Sequence, residues 1–71
     1  MSNLSVCLKE LRLRQGFTQK ELSAMLGIVL RAYQRYEAGD REPNVDTLIK
    51  LADFYGVSMD ELLGRTPLNT R

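Results

Sequence analysis

Arg31 and Arg35 stand four residues apart, with Gln34 between them, in the stretch Leu30-Arg31-Ala32-Tyr33-Gln34-Arg35. On a helix that spacing sets both guanidiniums on one face, one turn apart. A guanidinium offers a fork of N–H donors that fits a carboxylate, a phosphate or the O6 and N7 edge of guanine, and a glutamine carboxamide can pair in the same two-handed way with adenine. A solvated helix face would carry the same residues, so the pattern gains meaning only from the elements that hold it. Other chemistries are poorly provided for. The chain has no histidine, which removes imidazole acid–base catalysis, imidazole metal ligation and a histidine pH switch. Cys7 is the only cysteine, so neither an internal disulfide nor a cysteine zinc site can form; it reads as a small, half-buried helix residue or as a reactive thiol. No nucleophile stands next to a base and no phosphate-cradling glycine loop is present. No metal, no cofactor and no enzymatic activity are expected.

The elements that must position these side chains are short helices. Leu4, Leu8 and Leu11 follow the i, i+4, i+7 spacing of one helix face, and Gly16 offers a stop, which predicts a first helix from about Leu4 to Gln15. Thr18-Gln19-Lys20-Glu21 has the form of a capping box, with Phe17 and Leu22 placed for a hydrophobic staple. It opens a second helix, Gln19 to Leu26, that stops at Gly27. Only Ile28 and Val29 then precede a third helix, Leu30 to about Glu37, ended by Gly39. Pro43 breaks the chain, Asn44 caps a fourth helix with Leu48, Leu51, Ala52 and Tyr55 as its inward stripe, and Gly56 ends it. Ser58-Met59-Asp60-Glu61 is a second capping box and opens a last short helix with Leu62 and Leu63. Nothing alternates with the period of a strand. An all-α fold of five helices is predicted, as one domain over residues 1–64 with a short flexible tail over 65–71. Its expected core is Leu4, Leu8, Leu11, Phe17, Leu22, Leu26, Ile28, Tyr33, Leu48, Leu51, Ala52, Val57, Leu62 and Leu63.

Size and charge narrow the function further. A chain of 71 residues is one domain that buries only about 60% of its unfolded surface, so a deep catalytic cleft would be hard to stabilise. The net charge of +1 conceals a division. Residues 1–41 hold seven basic against four acidic side chains, a balance of +3, whereas residues 42–71 hold three against five, a balance of −2. The first half is therefore the one suited to a polyanion. No apolar run long enough to span a membrane and no secretory signal is read at the N-terminus, which leads to the expectation of a cytoplasmic protein.

Two helices joined by a glycine-led three-residue turn form the helix-turn-helix arrangement. The run Phe17-Thr18-Gln19-Lys20-Glu21-Leu22, Gly27-Ile28, Tyr36-Glu37-Ala38-Gly39, Pro43, Leu48-Ile49-Lys50-Leu51-Ala52 and Gly56-Val57-Ser58-Met59-Asp60-Glu61-Leu62-Leu63 closely resembles the lambda-repressor-like, XRE-type family of DNA-binding domains. The resemblance covers about residues 4–64, nearly the whole chain. It implies a compact five-helix domain with the helix-turn-helix in helices 2 and 3. It also implies a sequence-specific binder of double-stranded DNA that regulates transcription, most simply a repressor acting as a homodimer on a pseudo-palindromic operator. Such a protein works in a prokaryotic or phage-type cytoplasm and joins the nucleoid when bound.

Residue by residue, the resemblance implies base contacts from Leu30, Arg31, Gln34 and Arg35, and phosphate contacts from Arg14, Thr18, Gln19, Lys20 and Arg41. Gln19 and Lys20 also open a helix, where free amides and the helix dipole already favour an anion. Arg12 falls on the inward side of helix 1, where an unpaired guanidinium is costly. The family pairs such an arginine with the glutamate ending the recognition helix, here Glu37. A dimer contact is expected late in the chain, from Tyr55, Val57, Met59, Leu62, Leu63 and Leu68. The sequence departs from the pattern at Val29, where Ser or Thr would cap helix 3, and at Tyr33 and Ser23, where Ile or Val and Ala are usual. It departs also at Leu30, often a polar base reader, which could meet a thymine methyl or belong to a protein-facing surface. A second reading therefore stands beside the first: an antitoxin-like or adaptor module on the same scaffold whose main ligand is another protein.

Overall fold

The computed structural model describes residues 4–64 and, among them, five helices: α1 (Leu4–Gln15), α2 (Gln19–Leu26), α3 (Leu30–Ala38), α4 (Val45–Tyr55) and α5 (Met59–Leu62). No strand occurs among the described residues. The predicted bounds hold, with α3 running one residue further than expected. The expected tail over 65–71, including Leu68, lies outside the described residues.

Each boundary has a local cause. At the start of α2 the Thr18 hydroxyl accepts from the Glu21 amide at 3.0 Å while the Glu21 carboxylate accepts from the Thr18 amide at 2.9 Å. Ser58 and Glu61 repeat the exchange at the start of α5, both at 3.0 Å, and Asn44 Oδ1 accepts from the Thr47 amide at 2.9 Å. These oxygens satisfy amides that have no partner inside the helix. At the other ends, the amide of the residue after each glycine donates to the carbonyl five residues back: Phe17 to Arg12, Ile28 to Ser23, Asp40 to Arg35 and Val57 to Ala52. That closure needs a left-handed residue. Gly27, with φ at +68°, supplies it where it matters most, because α3 must leave α2 after only Ile28 and Val29. α3 itself begins without a side-chain cap, since Val29 has no oxygen to offer.

The helices close on one core. Leu4, Leu8 and Leu11 of α1 meet Leu22 of α2, Tyr33 and Tyr36 of α3, Leu51 and Ala52 of α4, and Leu62 of α5. Phe17, Leu26, Ile28, Leu48, Val57 and Leu63 form a partly buried fringe around it. The expected core is thus present in two tiers, with Tyr36 added one turn beyond Tyr33. Leu62 needs a correction: it has no exposed surface, so it fastens α5 into the core and is not available to a second copy. Ser23 is accommodated by donating to the Lys20 carbonyl at 2.9 Å. Cys7 is buried, its Sγ 3.7 Å from the Glu61 carbonyl, and burial, aided by Glu10, raises its pKa.

Two leucines of α1 give a test of this docking. Leu8 has no exposed surface and Leu13 is 57% exposed. Leu8→Ala is expected to cost about 2–5 kcal/mol, and Leu13→Ala no more than about 0.5 kcal/mol, read from denaturant midpoints. Equal losses would mean that α1 docks by another face.

Candidate nucleic-acid interface

α3 faces two ways. Tyr33 and Tyr36 point inward and are buried, as is the side chain of Glu37, 4% exposed; Arg31, Gln34 and Arg35 point outward and are exposed. Arg12 reaches the inward side from α1. Its Nε donates to Glu37 Oε2 at 2.6 Å, its Nη2 to Oε1 at 3.2 Å, and its Nη1 to the Phe17 carbonyl at 2.8 Å. A two-handed charged pair whose spare donor is also satisfied can stand away from water. Burial alone would raise the Glu37 pKa, but the hydrogen bonds it accepts, led by that of Arg12, outweigh burial and hold the carboxyl below its ordinary value. The same bond raises Arg12. The structural ion pair inferred from the sequence is therefore present.

Gln19 extends this pair outward. Its Nε2 donates to Glu37 Oε1 at 3.1 Å, and its Oε1 accepts from Gln34 Nε2 at 3.4 Å. A continuous line of hydrogen bonds runs from the buried carboxylate, through the first residue of α2, to the outer face of α3. Gln34 keeps its second N–H and its Oε1 for another partner. Near Glu37, the Tyr33 and Tyr55 hydroxyls are buried and make no hydrogen bond of ordinary geometry. Burial raises the pKa of both, that of Tyr55 to about 12.

The other expected site residues divide. The capping box takes the amides of Thr18 and Glu21, leaving those of Gln19 and Lys20 outside it at the positive end of α2. Arg31, Arg35 and Arg41 surround a shallow hollow together with Val29 and Ala32. Arg14 is engaged elsewhere, in an exposed pair with Glu10 at 3.4 Å. Leu30 is half-buried and does not line the hollow. Val29, to which the sequence reading gave only a missing cap, is 73% exposed and does. Tyr55, Val57, Met59 and Leu63 are partly buried against the core. Among the described residues no group of three or more Cys, Asp or Glu side chains could hold a metal ion, and no helix is long and apolar enough to cross a membrane.

This architecture can be set beside known proteins. A family model described as helix-turn-helix matches residues 8–62, from α1 through α5. The chain belongs to the XRE-type helix-turn-helix family. Among relatives in this family, it is similar to the HTH-type transcriptional regulator ImmR of Bacillus subtilis, 42% identical over 64 residues, covering 90% of this chain and 50% of ImmR. It is likewise similar to the cryptic phage CTXphi transcriptional repressor RstR of Vibrio cholerae, 42% identical over 48 residues, covering 68% of this chain and 43% of RstR. The chain thus spans about half the length of the curated relatives it matches. The crystal structure of a transcriptional regulator from Listeria innocua superimposes with a TM-score of 0.85 at 24% identity, covering 100% of this chain and 66% of that one. At that identity the likeness bears on the XRE-type fold alone.

Two measurements test the buried pair. Arg12→Ala leaves the Glu37 carboxylate without its counter-ion and is expected to cost about 3–5 kcal/mol, whereas replacing both residues by methionine should cost much less. The pKa of Glu37 is depressed by folding, so its contribution is complete above the ordinary value of 4.5 and is lost as pH falls through the lower folded value. The melting temperature should fall on acidification below pH 4.5, and Glu37→Gln should flatten that fall. An acid limb unchanged in the variant would mean that Glu37 does not carry it.

Proposed function

We propose that this chain binds double-stranded DNA sequence-specifically and acts as a transcriptional regulator, most simply a repressor that occludes its operator. The observation that carries the reading is the outer face of α3, where Arg31, Gln34 and Arg35 stand exposed on a helix whose inner face is locked to α1 by a buried ion pair. In a helix-turn-helix the second helix enters the major groove. Arg31 and Arg35 pair with guanine O6 and N7, and Gln34 with adenine through the groups that Gln19 leaves free. Thr18, Gln19 and Lys20 at the start of α2, with Arg41 and Arg14, meet phosphates and set the register. The names of ImmR and RstR, a transcriptional regulator and a transcriptional repressor, support the same reading. Leu30, whose apolar side chain pointed to the second reading of a protein ligand, is half-buried.

One α3 reads few base pairs, so two copies share a pseudo-palindromic site, with C2 symmetry setting their helices about 34 Å apart. The contact between them falls on the partly exposed edge of Tyr55, Val57, Met59 and Leu63. The protein is a binding module and not an enzyme, and it works in the cytoplasm on nucleoid DNA.

Log affinity for a bound duplex should fall against log salt with a slope of roughly −5 if about six phosphates are neutralised per dimer. Over single-base variants of that duplex, Arg35→Ala should cost about 1–3 kcal/mol and relax preference at one position, whereas Lys20→Ala should weaken all sequences alike. An equal loss over all variants would remove Arg35 from base reading. Affinity independent of salt would overturn DNA binding itself.

A further inference from the structure

Val29 occupies a position at which an oxygen would be useful and a valine is not. It precedes α3, leaves the first amides of that helix without a side-chain cap, and exposes 73% of its surface. Scattered exposed apolar residues are ordinary on a protein surface; the setting of this one is not. With Ala32 it forms the apolar lining of a hollow whose other lining residues are Arg31, Arg35 and Arg41, and no acidic side chain is among them. Three cations around two small apolar groups fit a partner that is rich in anions and acceptors and projects a small carbon group into their midst. The major-groove edge of duplex DNA has that composition, with phosphates at its borders, guanine O6 and N7 as acceptors, and the C5 methyl of thymine as the apolar group.

We infer that Val29 is a specificity-determining residue that packs, with Ala32, on the C5 methyl of a thymine beside a guanine taken by Arg31 or Arg35. The inference rests on the proposed binding of duplex DNA and adds to it one base of the half-site. It moves the thymine contact from Leu30, which lies half-buried outside the hollow, to its exposed neighbour. It also accounts for the missing cap. Ser or Thr at this place would stabilise α3, and the valine sacrifices that oxygen for a larger apolar contact.

The test uses the duplex that the intact chain binds best, with each thymine replaced in turn by deoxyuridine, which removes only the methyl. One thymine per half-site is expected to lose about fourfold in affinity on replacement, the worth of one buried methyl group, and the others to change by less than about twofold. Val29→Ala, whose melting temperature should match the parent because the side chain is exposed, should bind the thymine and deoxyuridine duplexes nearly alike. Val29→Ser should melt higher through its new cap and be equally blind to the methyl. No methyl-sensitive thymine on a specifically bound duplex, or full sensitivity retained by Val29→Ala, would overturn the role of Val29 and leave DNA binding standing. Absence of any preferred duplex would overturn both.

Discussion

The carboxylate of Glu37 is the point on which the rest of the molecule depends. Removed from water, it must be paired, and its partners come from different elements: the Arg12 guanidinium from α1 and the Gln19 carboxamide from α2, on a carboxylate carried by α3. Arg12 also holds the Phe17 carbonyl, which fixes the link between α1 and α2. Three helices are thereby referred to one group of atoms. An apolar core specifies separation and volume but tolerates small rotations of a helix about its axis, whereas a two-handed pair of buried charges does not. Buried pairs often add little net stability over an apolar substitute; this one ties α3 to α1 by two directional bonds.

That orientation matters because α3 has little other constraint on its outer side. It is a nine-residue helix that begins without a cap and ends on a left-handed glycine, too short to be stable away from its packing. Tyr33 and Tyr36 hold it from within, the Tyr33 ring fully buried with its hydroxyl beside Glu37. Opposite these rings, Arg31, Gln34 and Arg35 stand on the exposed outer face. Recognition by hydrogen bonds to base edges demands placement to a fraction of an ångström. Hydrogen bonds from Gln19 to Glu37 and from Gln34 to Gln19 join the buried pair to that exposed face.

Much of this was legible in the sequence because it is local. Thr18 with Glu21, Ser58 with Glu61, and the glycines at 16, 27, 39 and 56 each act within a few residues of themselves, and they set the helix bounds almost to the residue. The Arg12 pair was legible for a different reason: a cation on an inward face needs a partner, and the family pattern supplied Glu37. What could not be read depends on distances between side chains far apart in the chain. Nothing at position 19 announces that its amide turns inward, 3.1 Å from a carboxylate eighteen residues later. Leu62 and Leu63 look alike in sequence, yet only the first is sealed in the core. Leu30 and Val29 are neighbours, but Leu30 opens α3 while Val29, with ψ at 132°, is still extended backbone, and that change of conformation exchanges half-burial for exposure.

The most direct measurement is selection from a random pool of DNA duplexes by the purified chain at near-physiological salt, with sequencing of what is retained. If α3 is held against α1 so that its outer face reads bases, the pool should converge on a two-fold symmetric motif with half-sites about one helical turn apart. A pool unchanged after repeated rounds, from protein shown to be folded, would leave only unspecific charge attraction and contradict base reading by Arg31, Gln34 and Arg35.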